Sequence, residues 1–163
     1  MKVLNKLAAV ALVGVFAVGC GDDNGTGTGG LTMQDLEGVW NASKFEYTDP
    51  AGTFPTLDIL SVGGAFTITI TATSATNGTY TGSLTEPLQA PQAISGTLVL
   101  SANGTAITLT DAADDLPDPI LFENFTTSGT PPTQATLATN DTEFDWGTGT
   151  DVPANLVVVL VKQ

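Results

Sequence analysis

The sequence predicts an all-β domain folded as an antiparallel up-and-down β-barrel, and three observations predict it. Residues 65–73 (AFTITITAT) alternate without a fault: Phe66, Ile68, Ile70 and Ala72 share one face, Thr67, Thr69, Thr71 and Thr73 the other. Strand side chains alternate with a period of two, so this is a strand with one buried and one wet face. Two Asn-Gly dipeptides, Asn77-Gly78 and Asn103-Gly104, lie between such segments; they tolerate the positive φ of tight hairpins whose twist matches the flanking strands. Helical periodicity is missing after Gly38. Consecutive strands with short turns and one apolar face suit a meander that closes on itself, and closure removes the exposed edges a β protein must otherwise blunt. A two-sheet β-sandwich is the alternative architecture.

Taken in order, residues 31–38 (LTMQDLEG) form one short helical or turn segment with Thr32 as its N-cap. Strands follow at 40–48, 57–62 and 65–73, then at 79–85 with Tyr80, Gly82 and Leu84 inward. The next carry Ile94, Gly96, Leu98 and Leu100, then Ile107 and Leu109, with further strands at 120–127, 133–145 and 154–162. Inward glycines Gly82 and Gly96 fit the sharp coiling a barrel needs, and equally mark bulges.

Composition narrows function. The formal net charge is −13, with seventeen Asp and Glu against four lysines, and the chain has neither arginine nor histidine. Such a surface repels phosphates, which excludes nucleic acid as a partner. The missing residue types are the commonest general base, the commonest metal ligand and the bidentate anion clamp, so hydrolase triads, histidine metal sites and phosphoryl-transfer sites each lack a member. The chain therefore reads as a non-enzyme without a cofactor.

The N-terminus has its own logic. Lys2 and Lys6 precede an apolar run from Leu7 to Val18, then Gly19, the order of an export signal. The run falls short of the roughly 20 apolar residues that span a bilayer. Cys20 is the only cysteine, so it has no intrachain disulfide partner; with Asp22 and Asp23 nearby it has no basic group to lower its pKa either. Ala17-Val18-Gly19-Cys20 resembles the lipobox of bacterial lipoproteins, in which the cysteine is acylated and becomes the first residue after cleavage. That resemblance implies a cleaved signal over 1–19, and a lipidated Cys20 opening a Gly/Thr/Asp tether over 20–30 (CGDDNGTGTGG). One domain follows over 31–163. In the family, aspartate directly after the cysteine retains the protein at the inner membrane in some bacteria; Gly21 stands there, which favours the outer membrane. Removal of Lys2 and Lys6 makes the remaining chain more acidic still, so membrane contact comes through the lipid.

A second resemblance enters at Leu36-Glu37-Gly38-Val39-Trp40. A turn leading through Gly-x-Trp into the first strand is similar to the opening of lipocalins and bacterial lipocalin-like lipoproteins, and the likeness extends over residues 31–163. It implies a barrel that cups a small apolar molecule or lipid without catalysis; a barrel filled by its own side chains, serving as a structural or interaction module of the envelope, is the alternative. Cavity candidates are Phe66, Ile68, Ile70, Tyr80, Leu84, Leu98 and Leu100. In lipocalins an arginine of the last strand lies over the tryptophan at the closed end. The cation of the closing strand here is Lys162, expected to cover Trp40 by a cation–π contact, against the alternative of a solvated Lys162 and a plain core Trp40.

Two acidic runs remain. Asp111-Ala112-Ala113-Asp114-Asp115-Leu116-Pro117-Asp118 reads as a loop, and Asp141, Glu143 and Asp145 alternate along one strand face. Residues 145–151 (DWGTGTD) distantly resemble a calcium loop, but Gly147 and Gly149 stand where ligands belong. Both runs read as solvated acidic segments, with no metal site.

Overall fold

A computed structural model describes residues 30–87, 89–112 and 119–163. The segment predicted as an export signal, Cys20 and the predicted tether up to residue 29 lie outside the described residues, as do Asp114, Asp115 and Asp118.

The strands are β1 (Gly38–Thr48), β2 (Leu57–Asp58), β3 (Ala65–Ala72), β4 (Asn77–Thr85), β5 (Gln92–Leu100), β6 (Ile107–Asp111), β7 (Ile120–Phe122), β8 (Asn124–Ser128), β9 (Gln134–Phe144) and β10 (Val152–Lys162). They form one sheet in the order β7-β6-β5-β4-β3-β1-β10-β9-β8, with β2 beside β1. The first and last long strands are neighbours, Trp40 opposite Lys162. The two ends of the path, β7 and β8, are separated only by Glu123. One bent segment therefore serves both margins: its first half pairs with β6, Phe122 opposite Ile107, and its second with β9, Phe125 opposite Leu137. The Phe125 N–H also donates to the Thr105 carbonyl at 2.8 Å. The result is a nearly closed antiparallel barrel, as the sequence predicts, and not a sandwich of two sheets.

The predicted alternation of β3 holds: Ile68 and Ile70 are buried while Thr69 and Thr71 are exposed. Three expectations need correction. Asn77-Gly78 is not a turn. Ser74 Oγ accepts from the N–H groups of Thr76 and Asn77 and from Asn77 Nδ2, which moves the bend to residues 73–76 and leaves Asn77-Gly78 as the start of β4. Asn103-Gly104 does turn the chain, with Gly104 at φ +70°. Residues 57–62 are not a continuous strand, because the Asp58 carboxylate caps Leu60 N–H at 3.1 Å and starts a 3₁₀ turn over Ile59–Val62. Left-handed Gly63 (φ +94°) ends it. Residues 120–127 are two strands, the break at Glu123 being the joint described above.

One end of the barrel is plugged. Thr32 N and Oγ1 both donate to Asp35 Oδ2 (2.8 and 2.7 Å), fixing the 3₁₀ turn Met33–Leu36. That turn packs Met33 over Gly78, where a Cβ would stand 2.9 Å from Met33 Cγ. Met33, Leu36, Trp40, Tyr80 and Leu98 are all at most 2% exposed, so this end is tightly packed core. The opposite end carries the connections β1–β3, β4–β5 and β9–β10, and it holds the site.

Candidate functional site

Three breaks in strand periodicity line the barrel. Along β1, Trp40 and Ala42 face inward, but the register with β10 shifts between Ala42 and Lys44. One extra residue, Ser43, reverses the alternation, so that Phe45 and Tyr47 turn inward in place of Lys44 and Glu46. Along β9, Ala135, Leu137 and Thr139 are buried; a second shift opposite Ala154 and Leu156 then brings Thr142 and Phe144 round to the same side. The joint at Glu123 is the third, placing Phe122 and Phe125 both inside.

These side chains leave a void of about 120 Å³ in the interior, several times what one water requires. Of the predicted cavity residues, Phe66, Ile68, Ile70, Leu84 and Leu98 line it. Tyr80 and Leu100 do not; they sit in the packed core at 1% and 2% exposure. Trp40, expected at the closed end, also touches the void, and Phe45, Tyr47, Phe122, Phe125 and Leu156 are among the wall residues that the sequence reading did not name. Four of those unnamed positions are aromatic rings, and the strand containing each was recognised from sequence.

At the mouth a larger cleft of about 540 Å³ shares Phe45, Tyr47, Leu84 and Glu143 with the interior void. A chain of ring contacts runs from inside to rim. Phe66 meets Phe45 edge-on at 5.4 Å, Phe45 lies 5.7 Å from Tyr47, and Tyr47 stacks on Phe144 at 4.1 Å. Phe144 then meets Trp146 at 5.0 Å, and Trp146 stacks on Phe54 at 5.2 Å. Trp146 Nε1 also donates to the Pro55 carbonyl at 3.1 Å, tying the β9–β10 connection to the β1–β3 connection. Such pairs contribute about 0.5–1.5 kcal/mol each beyond area burial.

The electrostatics of this end are one-sided. Glu86, Glu143, Asp145 and Asp151 border the cleft, and neither described lysine does. Asp145 is held in its own turn: its carboxylate accepts from the N–H groups of Gly147, Thr148 and Gly149. Burial works to raise its pKa, but these donors outweigh it and hold the group below the ordinary carboxylate value. Burial first, then the charge of Glu86, pushes the Tyr47 hydroxyl up to about 12, so it is a neutral donor at the mouth. Asp111, expected in a loop, is the buried last residue of β6. Among the described residues no group of three or more Asp, Glu or Cys is arranged to hold a metal ion.

At the plugged end Lys162 Nζ lies 5.3 Å from the centroid of Trp40 and donates to the Asp35 carbonyl at 3.1 Å. Trp40 Nε1 donates to Leu36 O at 2.7 Å.

No family model and no curated protein sequence matches this chain. Among solved structures it is similar to a redesigned β-barrel, b11L5F_LGL, with a TM-score of 0.50 at 14% identity, covering 82% of this chain and 96% of that one. A second, EF1p2_mFAP2b bound to DFHBI, gives a TM-score of 0.47 at 15% identity over 82% and 98% of the two chains. At such identity the likeness speaks for fold alone, and the fold it identifies is an antiparallel, nearly closed β-barrel.

Proposed function

We propose that this chain is a lipid-anchored protein of the cell envelope, outer membrane favoured, that binds a small apolar molecule in its barrel without catalysis. The observation carrying the binding half is the interior void of about 120 Å³, walled by aliphatic and aromatic side chains and continuous in its walls with the cleft of about 540 Å³. The cleft alone falls in the size range of small-molecule sites. The absence of histidine and arginine from the sequence supports binding over acid–base or phosphoryl-transfer chemistry. The anchoring half rests on the lipobox-like Ala17-Val18-Gly19-Cys20 and the Gly/Thr tether behind it.

A neutral apolar fluorophore, N-phenyl-1-naphthylamine, tests the binding. A saturable rise in emission at a stoichiometry of about one supports it; no saturable binding points instead to a filled barrel acting as a structural or interaction module. For the anchor, Cys20→Ser is expected to leave the domain folded but free of the membrane. A variant that stays in the lipid fraction sinks that half.

A further inference from the structure

We infer that the ligand carries a positive charge: the geometry points to an amphiphile whose apolar part enters the barrel while its ammonium head rests at the mouth. This deepens the binding reading and rests on it. The head group is chosen by what surrounds the entrance. Glu86 and Glu143 are exposed at the cleft, Asp151 borders it, and Glu143 stands where the walls of the cleft and of the interior void meet. The described cations are elsewhere. Lys44 pairs with Glu46 at 2.8 Å, and Lys162 lies over Trp40 at the plugged end.

A second feature selects the same charge independently. The stacked Tyr47 and Phe144 wall the cleft, and an aromatic face attracts a cation, most strongly where water is excluded. Phe45 and Leu84 then continue the wall into the interior, where no ionisable group but Glu143 lines the void besides the Tyr47 hydroxyl. A carboxylate-headed lipid would bring its charge among like charges, whereas an ammonium meets carboxylates and ring faces at the point where its tail turns inward. The raised pKa of Tyr47, caused by burial and by Glu86, fits a poorly hydrated and electronegative entrance.

The test compares three eight-carbon probes that differ only in the head: octylammonium, octanol and octanoate. Each is titrated calorimetrically at neutral pH into the full chain carrying Cys20→Ser, which has no acyl group to compete for the barrel. The expected order is octylammonium, then octanol, then octanoate, with the amine about tenfold tighter than the alcohol. In Glu86→Gln/Glu143→Gln the amine should lose most of its advantage over the alcohol, the share owed to the ring faces remaining, while octanol binding stays put. That unchanged octanol affinity also reports that the variant is folded. Equal binding of all three probes, or an amine preference untouched by the double variant, overturns the head-group inference and leaves apolar binding standing. Binding of none overturns both.

Discussion

Lys162 and Trp40 face each other across the seam where the last strand meets the first, and the ammonium lies 5.3 Å from the ring centroid. The lysine does two things there. It covers the ring, and through Nζ it holds the Asp35 carbonyl of the 3₁₀ plug. Lys162→Ala is expected to lower stability in urea unfolding by about 0.5–2 kcal/mol. Lys162→Met, which keeps most of the stem, should recover the packing share but not the charge share. An alanine variant as stable as the parent would make Lys162 an ordinary end residue.

Gly38 is coupled to the same contact. Its φ is +128°, and a Cβ there would stand 2.9 Å from Lys162 Cε. Gly38→Ala therefore meets both backbone strain and the lysine stem, and should cost about 1–3 kcal/mol. Combined with Lys162→Ala, the loss should be less than additive, because the steric share vanishes with the stem. Strict additivity in the double-mutant cycle would separate the two residues.

How the sequence could reveal the strands but not the site comes down to single residues. The alternation of β3, the turn at Asn103-Gly104 and the Thr32-led cap are local, and each is legible because the physics that makes it acts within a few residues. The mouth is not local. Counting by two from Trp40 puts Lys44 and Glu46 inside and Phe45 and Tyr47 outside, which is the reverse of what the barrel does, because Ser43 is an unpaired extra residue. Nothing in 40–48 (WNASKFEYT) marks Ser43 as that residue; the cue is that two aromatics and two charged residues would otherwise face the wrong way. The same parity argument applied to β9 would have found Phe144, and applied across Glu123 would have joined Phe122 to Phe125.

Deleting Ser43 tests this account of the mouth. Without the extra residue, plain alternation from Trp40 and Ala42 puts Lys44 and Glu46 outward and Phe45 and Tyr47 inward, in the same pairing with β10 that the bulge now provides. The deletion should therefore keep the Tyr47–Phe144 stack and the fold. Deleting Ser43 and Lys44 together reverses the parity, turns Phe45 and Tyr47 to solvent and brings Glu46 against an apolar interior, and should destabilise the domain severely. A single deletion as damaging as the double one in urea unfolding would show that parity along β1 is not what sets the mouth.

Acid should loosen the mouth before it melts the barrel. Burial tends to raise the Asp49 pKa, but the N–H groups of Ala51, Thr53 and Phe54 donate to its carboxylate and hold it below the ordinary 3.8. A group depressed in the folded state adds stability that is complete above its unfolded pKa and is lost as pH falls through the folded one. Asp145 follows the same sign, and the two carboxylates sit in the connections joined by the Phe54–Trp146 stack. Trp146 emission should therefore change on acidification below about pH 4. Asp49→Asn should flatten stability against pH there. Tyr47 acts at the other extreme: its folded pKa of about 12 lies above the ordinary 10, so stability is full below 10 and falls as pH rises toward 12. Tyr47→Phe should abolish that alkaline loss.

The void itself makes the last prediction. Inserting a larger side chain into a well-packed core costs about 1–3 kcal/mol, because neighbours must leave their rotamers. Val158 is 4% exposed, pairs with Phe45 on one side and Leu137 on the other, and lines the void of about 120 Å³. Val158→Phe adds atoms where partner contacts are missing, so the dispersion gained offsets the crowding, and unfolding free energy should move by less than about 1 kcal/mol. N-phenyl-1-naphthylamine should bind the variant more weakly, since the ring occupies the space the probe would use. Stability must hold while probe binding falls for the void to be real and used. A phenylalanine that costs the full overpacking penalty while probe binding is unchanged would place the ligand wholly in the outer cleft, against Phe144 and Leu57, and leave the barrel interior as core.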